Sequence, residues 1–501
     1  MLEPIAAGFA HALEPASLLA IVAGLIGGIV VGVMPGLTAT LGLALLLPFT
    51  FWMNAETGLL AMGAVLSGGV FGGSITAILV KIPGTPASLA TTFDGYPMAR
   101  KGQAGRALSA AAVASVTGGV FSAIALMFGA PLLSLVALKF GPPEVFSLAI
   151  MGMSIIISLS AKTLLKGVIV GVIGLVLGAV GQDPMIGFPR FTFGDISLYG
   201  GVSLIPVLVG LYSIPEVMAI IERQNARLGV QPIVGSLFTG FRDCLKYNVT
   251  VIRSSILGVA MGILPAAGPE IAALLGYQEA RRTSRNRERF GEGEVEGVIA
   301  SECGNNAATG GDLIPTLTLG IPGSAAMPLF LAALLVHGLR PGPALFEGPQ
   351  SGVVYTLIAG FLITQIIMLP LGLGAARLGM HLLRIPMGLL GPMILMLAVL
   401  GSYAIDNDIG SVWLMLASGL AGYLLQKAGF PLAPIVLGLI LGPLAEANLH
   451  RALAMNYGSP AIFVTRPLSL ALLIMAAVSY FVPLFLERRW NAAQAKQEAS
   501  P

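Results

Sequence analysis

Five polar residues in the second half of the chain are spaced as one helical stripe. At 100 degrees per residue, Glu302, Asn305, Asn306, Thr309 and Asp312 fall near 0, −60, +40, −20 and −80 degrees. The rest of Ser301–Thr318 is small and apolar. Ionisable groups in an apolar span are expensive, and they mark ion or substrate paths. Carboxylate and amide oxygens suit a hard cation such as Na⁺, whereas amide N–H and hydroxyl groups suit a carboxylate guest. A second role fits the same stripe: interhelical hydrogen bonding, worth ~0.6 kcal/mol per contact. Glu302 lies near a basic segment and is expected to be partly hydrated. Glu270 fits either a coupling carboxylate or a residue at a cavity mouth.

The elements that must position this stripe are broken helices. GIVVGVMPGLT (28–38) and GVAMGILPAAG (258–268) share the pattern GxxxGxxP, 230 residues apart. Each is followed by a Gly-Gly pair (Gly72-Gly73, Gly310-Gly311) and then by Ile-Pro-Gly (82–84, 321–323) with a hydroxyl residue, Thr85 or Ser324. Three motifs in shared order imply an internal repeat. The first copy has Ser67, Ser74 and Thr76 but no charge where the second has its stripe. GxxxG alone serves close helix packing. A bend at membrane depth, however, frees backbone groups that need protein, water or a ligand. Helix N-termini there face anions, and unwound carbonyls hold cations. Pro35–Thr38 and Pro265–Gly268 supply one such pair of breaks, and 82–86 with 321–324 a second.

Composition sets the solvent. Of 501 residues, 56% are hydrophobic and 10% charged, against a usual ~25% charged. Mean hydropathy is +0.89. The reading is an all-α polytopic membrane protein, which excludes a disordered chain, a nucleic-acid-binding domain and a disulfide-stapled secreted fold. Recurrent apolar runs suggest roughly 10–12 crossings, plus segments that enter without crossing. Glu3 and Glu14, with no basic n-region, argue against a cleavable signal peptide. Lys and Arg are absent from Met1 to Val80, whereas Arg253 and five arginines over 281–289 flank the second GxxxGxxP. The positive-inside rule therefore puts both ends of 254–276 on one side and both ends of 18–51 on the other. That describes re-entrant hairpins in an inverted repeat. The boundaries read as a first half over 1–221, an interfacial linker over 222–253, a second half over 254–486 and a cytoplasmic tail over 487–501.

Other residues point to less. Four scattered histidines and the unrelated Cys244 and Cys303 give no metal site, catalytic constellation or cofactor. Asp94 with Arg100, Lys101 and Arg106 reads as a polar loop, and Glu279–Glu296 as a solvated one. Asp406 and Asp408 fall in a loop between spans. Trp52, Trp413 and Trp490 suit membrane interfaces.

Three strings, VGVMPGLTATLGLALLLPFTF, FGGSITAILVKIPGTPAS and EGVIASECGNNAATGGDLIPTLTLGIPGS, resemble the large membrane subunit of the tripartite tricarboxylate transporters over roughly 18–440. Pro35, Gly36, Gly72, Gly73, Ser74, Pro83, Gly84, Thr85 and Pro86 fit that family's first-half motifs. Glu302, Asn305, Asn306, Gly311, Pro315, Pro322, Gly323 and Ser324 fit the second. The resemblance implies a secondary transporter in the bacterial inner membrane, importing a carboxylate on a Na⁺ or proton gradient by an elevator-type motion. It also implies a small membrane subunit and a periplasmic solute-binding protein as partners. On this reading, substrate meets Gly36, Thr38, Ser74, Thr85, Asn305, Asn306 and Ser324. The cation meets backbone at Pro35 and Pro265, with Asn306 and Glu302. Departures cluster at the same places: Asp312 stands for a usual Ala, Glu270 for Thr and Phe71 for Tyr. Ser301, Cys303 and Gly304 replace Pro and Ala, and Ala266-Ala267 interrupts a Pro-Gly. They bear on which carboxylate is carried. A stand-alone carrier, a passive channel and a membrane-embedded enzyme remain the rival classes.

Overall fold

The computed structural model describes residues 2–160, 164–183, 187–222, 231–236, 238–265, 267–382 and 387–481. Ala266, Trp490 and the 487–501 tail lie outside the described residues, as does 223–230 of the linker. The described chain is almost wholly helical: α1 (Leu2–Ala12), α2 (Pro15–Val33), α3 (Ala39–Thr50), α4 (Ala55–Val80), α5 (Thr91–Arg100), α6 (Ala104–Ala137), α7 (Pro142–Ser160), α8 (Leu164–Gly178), α9 (Leu204–Glu222) and α10 (Thr239–Lys246) come first. Then follow α11 (Asn248–Ile263), α12 (Gly268–Thr283), α13 (Val295–Leu319), α14 (Met327–Val336), α15 (Ser351–Leu382), α16 (Met387–Asp406), α17 (Ile409–Lys427), α18 (Ala433–Met455), α19 (Ile462–Thr465) and α20 (Pro467–Phe481).

Eight of the described helices (α2, α4, α6, α9 and α15–α18) are long and apolar enough to cross a membrane. The protein is a multi-pass membrane protein. Beyond these eight, breaks cut other apolar runs into shorter helices: 18–51 becomes part of α2 plus the 12-residue α3, and 254–276 is shared between two 16-residue helices, α11 and α12. α13 has 25 residues but carries the polar face.

The chain forms two compact units. The first comprises Met1–Ala137 and Leu208–Leu420, the second Leu138–Val207 and Ala421–Pro501. In the first unit, α4 and α13 are buried along nearly their whole length. Glycine lets their neighbours reach them. A Cβ on Gly32 would collide with the Gly69 carbonyl oxygen, and one on Gly72 would stand 2.6 Å from Ile29 O, so α2 meets α4 backbone to backbone. α11 meets α13 in the same way: a Cβ on Gly262 would collide with Ala308 O, and one on Gly311 would stand 2.7 Å from Val259 O. The two sets of contacts correspond motif for motif.

In the second unit α18 packs on α7 and α8. An antiparallel two-residue ribbon pairs Gly181 with Arg190 and Gln182 with Pro189, the only strand pairing among the described residues. Arg190 grips Glu446 with its two terminal guanidinium nitrogens, Nη1 and Nη2. The buried Glu144 takes a 2.6 Å bond from Arg466 Nε. Asp183, Glu446 and His450 present ligand atoms within 4.8 Å of one another, but Arg190 already supplies the positive charge there.

Candidate functional site

The first break separates α2 from α3. Gly36 turns the chain at φ +91, and Thr38 starts α3 by accepting the Leu41 N–H on its hydroxyl at 3.1 Å. The second break follows α4, whose C-cap Lys81 adopts the left-handed conformation (φ +61). Ile82–Thr85 then leads into a single 3₁₀ turn, Pro86–Ser88. The two breaks touch. A Cβ on Gly84 would strike the Gly32 carbonyl oxygen and stand 2.6 Å from Thr76 Oγ1. The space above Gly73 is filled by the hydroxyls of Thr85 and Ser88, at 2.6 and 2.5 Å from where a Cβ would be, and these lie 3.2 Å from each other.

α13 reaches into this region from the other half of the chain. Glu302 is fully buried rather than hydrated. Its carboxylate accepts from Thr91 Oγ1 on α5 and, at 2.9 Å, from Ser115 Oγ on α6, with Ser74 of α4 alongside. The expectation of hydration fails because α5 and α6, invisible as neighbours in the sequence, close over it. Asn305 donates to the Ala87 carbonyl at 3.2 Å and so fastens the 3₁₀ turn. Asn306 donates to Asn305 Oδ1 at 2.8 Å, while its own Oδ1 is buried without a protein donor.

The second half repeats the arrangement with different chemistry. α13 ends at Gly320, which adopts the left-handed conformation (φ +68) as Lys81 does. Gly323 packs on the Gly262 carbonyl as Gly84 packs on Gly32. Gly268, at φ +58, opens α12, and a Cβ there would stand 2.9 Å from both Glu270 Oε2 and Ser324 Cβ. Asp312, fully buried, sits where the first half has Gly73. Of the sequence-predicted residues, Ser74, Thr85, Glu302 and Asn305 gather at the first pair of breaks. Ser324 belongs to the second pair, with Asp312 and with Glu270, five residues on from Pro265. Gly36, Thr38 and Pro35 line the first turn.

Asp94 is neither in a loop nor solvated. It lies on α5, fully buried, and accepts N–H bonds from Gly291, Gly293 and Glu294 at 2.9, 2.7 and 2.8 Å, and the Tyr277 hydroxyl at 2.9 Å. Burial pushes its carboxyl above the ordinary range, against the lowering effect of those four donors. The stretch 279–296 is likewise only partly solvated. Its arginines are exposed, but Glu296 is buried and accepts from Thr250 and Ser284 at 2.6 and 2.5 Å. Glu294 takes the Tyr247 hydroxyl at 3.1 Å. The missed residues, Asp94, Thr91, Ser115 and Glu296, find their partners across long stretches of chain, and local spacing carries no signal of that. Asp408 does lie in the short turn between α16 and α17, whereas Asp406 is the last residue of α16, where Ser411 donates to it at 2.6 Å.

Comparison with known proteins follows the same residues. The family model described as "Tripartite tricarboxylate transporter TctA family" matches 18–437. The "Uncharacterized 52.8 kDa protein in TAR-I ttuC' 3'region" of Agrobacterium vitis is 36% identical over 485 residues, covering 97% of this chain and 96% of that protein. The "Uncharacterized protein in TAR-II ttuC' 3'region" of the same organism is 36% identical over 227 residues, 45% of this chain and 93% of that protein. No solved structure matches. That family is one of transporters rather than enzymes, and its match covers both pairs of breaks and the stripe between them. The chain belongs to the tripartite tricarboxylate transporter TctA family.

Proposed function

We propose that the chain is the carrier subunit that imports a di- or tricarboxylate across the bacterial inner membrane, driven by a cation gradient. Substrate is delivered by a periplasmic solute-binding protein, with a small membrane subunit completing the assembly. The two halves act as inverted repeats, and an elevator-type motion carries the site across. The observation behind this reading is the duplicated pair of helix breaks packed through Gly32–Gly84 and Gly262–Gly323 on either side of a fully buried polar helix.

The carboxylate sits against the N-terminus of α3 and the hydroxyls of Thr38, Ser74 and Thr85, with Asn305 and Asn306 beside it. Helix N-termini and hydroxyl donors favour an anion without a buried lysine or arginine. The cation offsets the charge of the guest, so that the loaded site crosses the low-dielectric interior at lower cost.

The test is uptake of labelled di- and tricarboxylates into vesicles holding this protein and its proposed partners, under separate Na⁺ and pH gradients. Carboxylate accumulation that collapses with the driving gradient supports the reading. Flux indifferent to both gradients indicates a channel, and full uptake without the binding protein a stand-alone carrier. Replacing Asn305 and Asn306 together by Ala abolishes uptake with membrane insertion intact, and normal uptake by that variant counts against the site.

A further inference from the structure

The second pair of breaks differs from the first in one respect: it is acidic. Counting back from the left-handed caps Lys81 and Gly320, Asp312 and Ser324 occupy the positions of Gly73 and Thr85, and counting from the shared GxxxGxxP, Glu270 occupies that of Thr40. Asp312 is 0% exposed, and neither of its carboxyl oxygens meets a hydrogen-bond donor of the protein. Ser324, 3% exposed, approaches the carboxyl without reaching hydrogen-bond geometry, and its Oγ is also without a partner. Glu270 faces the same place from the first turn of α12, partly exposed. Among the described residues, no Lys, Arg or His forms an ion pair with Asp312 or Glu270.

The geometry converges. Gly262 O and Asp312 Oδ1 lie within 3.0 Å of one point, the space a Cβ on Gly323 would take. Glu270 Oε2 and Ser324 Cβ lie 2.9 Å from the neighbouring point above Gly268. Gly262 O, Asp312 Oδ1 and Glu270 Oε2 are oxygen acceptors set around two glycines that flank Ser324, with formal negative charge and, among the described residues, no ion-paired protein cation to balance it. A buried carboxylate left so costs several kcal/mol. A proton would satisfy one oxygen. A hard monovalent cation takes all of them at once, since such ions are held by carboxylate, hydroxyl and carbonyl oxygens together.

We propose that Asp312, Ser324 and the Gly262 carbonyl, with Glu270 at the mouth, form a sodium-ion site at the second pair of breaks. The inference rests on the transport reading and deepens it. Charge is divided between the halves, the hydroxyl-lined first breaks holding the anion and the acidic second breaks holding the ion that accompanies it. Ser324 then serves the cation rather than the substrate.

The experiment measures thermal unfolding of the purified full chain in detergent, with NaCl titrated against choline chloride at fixed ionic strength and pH, and no substrate. The wild type is expected to gain melting temperature saturably with Na⁺, because a ligand that binds only the folded state stabilises it. Asp312→Asn is expected to weaken the apparent affinity at least about tenfold, since it removes the charge that dominates a hard-cation site. Ser324→Ala weakens it less, and Glu288→Gln, on the exposed arginine-rich turn, leaves it unchanged. If Asp312→Asn does not fold, Ser324→Ala and direct ²²Na⁺ binding to the wild type decide the matter. A melting temperature indifferent to Na⁺ in the wild type overturns the proposal, as does an unaltered Na⁺ response in Asp312→Asn. The vesicle assay separates the two readings. Uptake driven by pH alone in the absence of Na⁺ removes the sodium site and leaves transport standing; Na⁺ binding without uptake of any carboxylate does the reverse.

Discussion

Gly84 rests on the carbonyl oxygen of Gly32 so closely that a Cβ at Gly84 would overlap it, and Gly323 rests on Gly262 in the same manner. In both cases the obstacle is backbone, which no rotamer change relieves. Gly84→Ala and Gly323→Ala are each expected to destabilise the protein by about 2–3 kcal/mol or to prevent folding. Gly374→Ala, with open space at its Cβ position, is the matched control. Melting temperatures in detergent check all three.

Glu302 ties α13 to α5 and α6 through the hydroxyls of Thr91 and Ser115. Glu302→Ala removes both acceptors and opens a cavity, which is expected to cost about 2–4 kcal/mol. Glu302→Gln keeps one carbonyl acceptor and costs roughly half as much. If both variants melt with the wild type, Glu302 does not brace these helices.

Asp94 gathers three backbone N–H groups of 291–294 on a single carboxyl oxygen, Oδ1. Asp94→Ala leaves all three without their acceptor and is expected to cost more than about 3 kcal/mol. Asp94→Asn retains one oxygen for them and costs less. Hydrogen exchange at Gly291, Gly293 and Glu294 should speed up strongly in Asp94→Ala and modestly in Asp94→Asn.

The two left-handed caps are occupied unequally, Lys81 by a side chain and Gly320 by none. Lys81→Gly relieves a strain of about 1 kcal/mol and is expected to raise the melting temperature. Gly320→Ala introduces that strain, and should lower it. Opposite shifts at equivalent positions would mark the effect as backbone conformation.

Much of the fold was readable in the chain because glycine and proline announce themselves. GxxxGxxP, Gly-Gly and Ile-Pro-Gly located all four breaks, and the period of Glu302 to Asp312 located the buried polar face of α13. What stayed hidden depends on partners far away in sequence. Asp94 reads as a loop acid until Gly291, Gly293 and Glu294 are seen to close on it some 200 residues later. Glu302 reads as hydrated until Thr91 and Ser115 arrive. Asp312 carried the opposite difficulty. It was visible as part of the stripe, but its lack of a donor is a fact about space, and spacing cannot express it.

The glycine seams between α2 and α4, and between α11 and α13, have one more implication. Where main chain abuts main chain, there is no flexible layer to shear, and each couple behaves as a single rigid plank. Any conformational cycle must therefore carry a whole plank at a time and place its pivots elsewhere in the chain.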